Sequence, residues 1–233
     1  MTLTALTAYL ANYILQRPEL ATDQQMVMAV NAGHLQLQQD GDFRCMEAHA
    51  ALLYTANTVE GIALPADYKR LRHVWNAKNG AVTDDVVTAD RMSPITPATE
   101  SEINLYALMA KQTRGLDSQA GQGYFMRWYE RELKLCLVPA PTADTYLVAD
   151  YYKFLPDYVV GGDSDYFSNY YWTCLLYAAA WQASVTFFED SRAATFQQNY
   201  SILLKQAIAN DQGIKEGGKK TLTEPTGQPT GGK

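Results

Sequence analysis

The side chains able to do chemistry are few and lie in no catalytic pattern. His34, His49 and His73 are far apart in the chain and belong to no metal-ligand spacing. Asp163 and Asp165, in the stretch GGDSD, could open a calcium loop, but the twelfth position counted from Asp163 is Cys174 where a bidentate Glu is required. A turn leading into a helix capped by Asp165 or Ser164 fits those residues better. Gly121 and Gly123 form one G-x-G ahead of a strand, whereas a nucleotide cradle follows one. No Ser, Cys or Thr occupies a nucleophile elbow, and no close pair of carboxylates sits among apolar residues that would raise a pKa. Cys45, Cys136 and Cys174 are odd in number and share no short spacing, which argues against a disulfide framework and a zinc site. They read as buried thiols of a reducing compartment. The expectation is a protein with no catalytic, cofactor-binding or metal residues, and not an enzyme.

The elements that would position any site are dominated by a helical pair. Phe167, Tyr170, Tyr171, Cys174, Ala178, Trp181, Val185 and Phe188 recur at steps of three and four, as does the set Ala193, Phe196, Tyr200, Leu203, Leu204, Ala207 and Ile208. The short link between the stripes, with Asp190 or Ser191 as N-cap, predicts antiparallel neighbours. Leu3, Leu6, Leu10, Tyr13 and Ile14 predict a first helix ended by Pro18, and Met26, Val30 and Leu37 a second that stops at Asp40 and Gly41. Between these helices the pattern turns to strands. Met46 to Tyr54 alternates as a half-buried strand does, although its alanines also suit a helix. Leu71 to Trp75 follows the break at Pro65, and Asn79 with Gly80 signals a hairpin. Thr99 and Glu102 make a capping box for a helix over residues 100–109, and residues 114–123 read as a loop. Tyr124 to Val138 and Tyr146 to Leu155 are expected as two strands of one hairpin, with Leu133, Leu135 and Leu137 on a single face.

Charge and composition divide the chain again near its end. Apolar residues make up 47% of the 233, an ordinary share for a soluble core, and no basic start with a small-residue cleavage site or long apolar run is present. The sequence therefore reads as soluble and unprocessed. Residues 212–233 carry four lysines against two glutamates, a formal +2 that leaves −8 on the remainder of a chain totalling −6. A body of that charge repels nucleic acid. The terminal Gly, Lys, Thr and Pro residues, with Leu222 the last large apolar one, cannot bury enough surface to offset their ordering entropy. Any order there must be borrowed from another molecule, though the same composition also suits a solvated terminus.

Taken in order, the pieces LPADYKRL (Leu64, Pro65, Ala66, Asp67, Tyr68 onward), SPITPATESEI from Ser93 and Pro94, the step Val138 to Pro139, the pair Tyr151 and Tyr152, and Asp190 between the last helices give a layout over residues 3–209. That layout resembles the head-to-tail adaptor (connector) proteins of tailed bacteriophages, including the tail tubular protein A type. The resemblance implies an α+β subunit: a helical bundle of residues 1–42 and 164–211, an inserted small antiparallel β-rich domain of 43–163, and an extended C-terminal arm of 212–233. It further implies a virion protein at the head–tail interface, made in the host cytoplasm. Such a subunit forms a dodecameric ring under the portal protein and contacts the tail nozzle or next tail ring. Genomic DNA passes through without sequence-specific binding, and no cofactor or membrane is involved. The arm would dock on the portal through Lys215, Lys219, Lys220, Leu222, Pro225, Pro229 and Lys233. The tyrosines, sixteen in all, leave a carbohydrate-binding virion or surface module as the alternative, since their rings suit a sugar groove as well as a core or subunit contact. A glycosidase comes third.

Overall fold

The computed structural model describes residues 1–20, 24–77, 91–105, 126–141, 143–188 and 190–215. It is a mixed α and β chain in two compact units, one of Met1–Cys45 with the chain from Asp157 onward, the other of Met46–Pro156.

The first unit is helical. Helix α1 (Leu3–Tyr9) continues as a wider π turn over Leu10–Leu15 and stops where Gln16 enters the left-handed region. The wider turn corrects the expected apolar face. A turn of more than four residues buries Ala11 and Leu15 behind Leu10 and leaves Tyr13 exposed. Helix α2 (Gln24–Asp40) buries Met26, Ala29, Val30, Gly33, His34, Leu37 and Gln38. Residues 100–105 (α3) belong to the other unit; the rest of that expected helix, the Asn79–Gly80 turn and the loop at 114–123 lie outside the described residues. The expected long helix from Tyr166 is broken. Asp165 caps α4 (Tyr166–Tyr170) in a capping box with Ser168, and a non-helical Tyr171 separates it from α5 (Trp172–Ala183), which ends in a π turn at Ser184–Phe188.

Helix α5 packs on both α2 and α6 (Ala193–Lys215). That central position explains why it buries Cys174, Leu175, Leu176 and four alanines rather than one stripe, and why Tyr170 and Val185, expected inside, are exposed. Tyr177 meets Phe196 near the link while Tyr166 reaches Asp211 at the far end, so α5 and α6 run antiparallel. Gly33 lies against the backbone of α5: a Cβ there would stand 2.5 Å from the Ala179 nitrogen.

The second unit is one seven-stranded sheet. Its strands are β1 (Glu47–Tyr54), β2 (Ile62–Ala63), β3 (Tyr68–Ala77), β4 (Arg91–Pro97), β5 (Arg127–Arg131), β6 (Lys134–Val138) and β7 (Thr145–Lys153), ordered β1-β7-β3-β4-β5-β6-β2. The outer strands β1 and β2 approach each other, so the sheet is nearly closed. Tyr124 to Val138 is not one strand, because Glu132 and Leu133 both take positive φ (53° and 60°) and fold β5 back on β6. The next strand, β7, then pairs with β1 and β3 instead of β6. The sheet is also not purely antiparallel, since β4 and β5 run parallel. Leu135 and Leu137 do face the core, but Leu133 sits exposed at the turn.

Strand β3 buries Tyr68, Leu71, Val74 and Ala77, a period of three that no flat strand has. Shifts of register after Tyr68 and after Leu71 against β7 insert Lys69 and Arg72 into β3, whereas the shift at Asn76–Ala77 inserts Met92 into β4. Ala77 lies instead in a separate small cluster with Val148, while the two bulges in β3 hold Leu71 and Val74 on the face of Tyr68. The core they join contains Tyr54, Tyr68, Leu71, Val74, Ile95, Leu135, Leu137, Leu147, Ala149 and Tyr151.

Candidate functional sites and surfaces

In the helical unit a buried polar cluster fastens the chain ahead of α4 to helix α2. Asn31 donates through Nδ2 to the Tyr158 carbonyl at 3.0 Å and accepts the Tyr158 N–H at 3.0 Å. His34, fully buried, donates through Nε2 to Asp165 Oδ2 at 2.8 Å, and Gln38 Nε2 donates to His34 Nδ1 at 3.2 Å, which fixes the imidazole tautomer. Tyr158 Oη donates to Asp165 Oδ1 at 2.5 Å. Burial alone would raise the Asp165 carboxyl, but the His34 hydrogen bond, the Ser168 N–H and the Tyr158 hydroxyl outweigh it, and its pKa lies below the ordinary value. Burial and the same carboxylate drive the Tyr158 phenol upward. The cluster holds backbone in place and is closed to solvent at His34. Asn31, His34 and Gln38 recur at steps of three and four among the apolar residues of α2, the one signal by which the sequence could have shown it.

A second clamp sits toward the end of α6. Asp211, almost fully buried, accepts the Arg44 N–H at 2.9 Å and the Tyr166 hydroxyl at 3.1 Å. Helix α6 then runs on through Lys215, so Gln212–Lys215, assigned to the arm, are helical. Lys215 is the last residue of α6, and Lys219, Lys220, Leu222, Pro225, Pro229 and Lys233 lie outside the described residues.

Three of the most exposed apolar side chains of this unit lie near the start of α1. Leu3 and Thr4 donate their N–H groups to the Asp163 and Gly161 carbonyls, and the Met1 nitrogen donates to the Ser168 carbonyl and Asn169 Oδ1. The turn at 159–163 is held in shape by Asp163, which accepts the Val159 and Val160 N–H groups at 2.7 Å each. With the turn fixed in this way, Val159 (81% exposed), Val160 (64%) and, on α4, Tyr170 (71%) point into solvent.

The tyrosines are largely structural. Tyr151, Tyr152 and Tyr158 are buried, Tyr166 and Tyr171 half-buried, and of these six with Tyr170 only the last is exposed. Tyr54 Oη accepts the Leu137 N–H and donates to the Thr58 carbonyl; Tyr68 Oη accepts the Leu71 N–H and donates to Glu130; Tyr151 Oη donates to Asp67. All three cysteines are free, and burial pushes the Cys45 and Cys174 thiols up to about 12.

In the sheet unit, register creates a polar row that the sequence hides. Asp150 on β7 stands directly opposite His49 on β1 and opposite His73 on β3. Trp75 Nε1 donates to Asp150 Oδ2 at 2.9 Å, and Arg72, turned outward by the bulge, pairs with Glu47 at 2.8 Å. With Ala48 these residues line an open pocket of about 310 Å³. Among the described residues no group of three His, Cys, Asp or Glu is placed to hold a metal ion, and no helix is long and apolar enough to cross a membrane.

The fold and these clusters define a class: an α+β chain in which buried carboxylates such as Asp165 and Asp211 brace its own backbone. The model of the SU10 adaptor protein family matches residues 1–220, and the chain belongs to that family. It is thus a bacteriophage adaptor protein, a virion component that interacts with other virion components. No curated protein matches it.

Proposed function

We propose that this chain is a head-to-tail adaptor that forms a dodecameric ring beneath the portal, joins the capsid portal to the tail nozzle or next tail ring, and lines the channel through which genomic DNA leaves. Its work is mechanical rather than enzymatic. The observation that carries the reading is the family match across residues 1–220, which takes in both compact units and the first residues past α6. Two features support it. Val159, Val160 and Tyr170 offer apolar area on a braced end, as closed rings require between neighbours. The formal charge outside residues 212–233 is −8, so a channel wall made of this body repels the DNA backbone and lets it slide. The arm beyond Lys215, with Lys219, Lys220 and Lys233, docks on the portal through those cations and through Leu222.

The test is electron microscopy of portals mixed with purified protein. A ring of density below the portal, absent from portals alone, is the expected result. Portals that stay bare at saturating protein overturn the reading.

A further inference from the structure

We propose that the outer faces of α2 and α6 are the two halves of one contact between copies of this chain, the α2 face of one copy seating on the α6 face of the next. The inference rests on the ring of the proposed function and names where neighbours meet. Helices α2, α5 and α6 form one layer with α5 in the middle. Ala179 of α5 faces Gly33 of α2, whereas Tyr177 and Trp181, two residues to either side and so about 200° round the helix, meet Phe196 and Tyr200 of α6. The outer flanks of α2 and α6 therefore point in opposite directions. On α2, Met28 (53% exposed) and Leu35 (44%) stand seven residues apart on one line, opposite the buried Val30, Gly33 and Leu37. On α6, Ile202 (50% exposed) and the exposed Ala209 repeat that spacing opposite the buried Tyr200 and Ala207.

Charge selects a second copy as the occupant. A surface helix ordinarily carries charged residues on its solvent side. Helix α2 has none before Asp40, which Tyr200 and Gln36 engage, and from Ala193 to Asn210 α6 has only Lys205. Copies of a body that carries a formal −8 repel each other, and two such neutral faces are where they approach at least cost. A contact that closes a ring joins two different patches on opposite sides of the subunit, which the flanks of this layer supply. Asn31, beside Leu35 on α2, holds the Tyr158 backbone at 3.0 Å, so the exposed Val159 and Val160 extend the α2 face. The 17 residues of α2 span about 26 Å, and at a width of about 10 Å they offer roughly 260 Å² against the roughly 800 Å² per partner of a stable pair. The contact is thus weak between two free copies and holds where a ring closes every contact at once.

The test combines Met28→Cys with Ile202→Cys in the full-length protein and adds a bismaleimide able to bridge helix axes about 8–10 Å apart. One arm holds the free protein at millimolar concentration, the other the protein on portals, with rings scored by electron microscopy. The unaltered protein, whose Cys136 and Cys174 are buried, sets the background. A ladder of covalent oligomers from the double variant is expected on portals, with a fainter one in the free protein and no dimer from either single variant. Adding Leu35→Asp, at an exposed position, should lower the ladder at least about tenfold and leave the circular dichroism spectrum unchanged. Rings without a ladder overturn this contact and leave the ring reading standing. Bare portals overturn the ring reading, and the contact falls with it unless the free protein gives the ladder. Dimers from a single variant mean that like faces meet, and adducts of either cysteine with the portal mean a different occupant; both overturn the proposal.

Discussion

Asp165 accepts the Ser168 N–H that starts α4 and the His34 N–H that ties that start to α2, so one carboxylate serves a cap and a tertiary bridge. Removing it leaves a fully buried imidazole N–H without its acceptor. Asp165→Ala should therefore cost about 2–4 kcal/mol in urea unfolding, more than a cap alone. Its pKa below the ordinary 3.8 means that its contribution is complete above that value and is lost as pH falls through the lower folded one. Asp190 behaves likewise, held at about 2 by the Arg192 side chain and N–H. The gap in melting temperature between the protein and Asp165→Asn should be widest near pH 7 and narrow toward pH 2.5, measured by circular dichroism. A gap that widens in acid contradicts the bridge. The thiols give an independent check on packing. With Cys45 and Cys174 near 12, reaction with a disulfide reagent at pH 8 should be at least about a hundredfold slower than for free cysteine, and guanidinium should release all three.

Two elements are set by backbone contacts that side-chain patterns do not announce. The crossing of α2 on α5 relies on Gly33, where any Cβ would press on the Ala179 nitrogen at 2.5 Å. Gly33→Ala gains up to about 1 kcal/mol in helix propensity, but parting the two backbones costs about 1–3 kcal/mol, so the variant should be net less stable. Gly33→Val should be worse in the same denaturation assay. The β5–β6 turn is the opposite case, since Glu132 and Leu133 adopt left-handed conformations suited to Asn and Gly. Replacing them with Asn and Gly should stabilise the sheet unit by about 1 kcal/mol, seen as a higher urea midpoint at constant slope. Neither element was legible beforehand. A sequence read for hairpins looks for Asn-Gly, and Glu-Leu inside a leucine alternation looks like uninterrupted strand.

At the scale of the molecule, the end of α6 separates what folds by itself from what the proposed arm must find elsewhere. A chain ending at Lys215 keeps Asp211 and its bonds to Arg44 and Tyr166, whereas one ending at Asp211 would cut the last turn. Deleting residues 216–233 should leave the melting temperature within about 2 °C of the intact protein and abolish retention on portals in sedimentation. Retention by the truncated chain contradicts the arm. The sequence by itself determined most helices and strands in outline, a cap at Asp165 or Ser164, and a likeness to phage adaptors, because apolar period, capping and turn chemistry are local and the family signature is an order of short pieces. Only the tertiary structure decided that β7 lies between β1 and β3, that α5 is enclosed on two sides, and that His49, Asp150 and His73 share one row. Strand neighbours and helix crossings are fixed by packing between residues a hundred positions apart, and bulges rephase a strand by single residues that no local periodicity encodes.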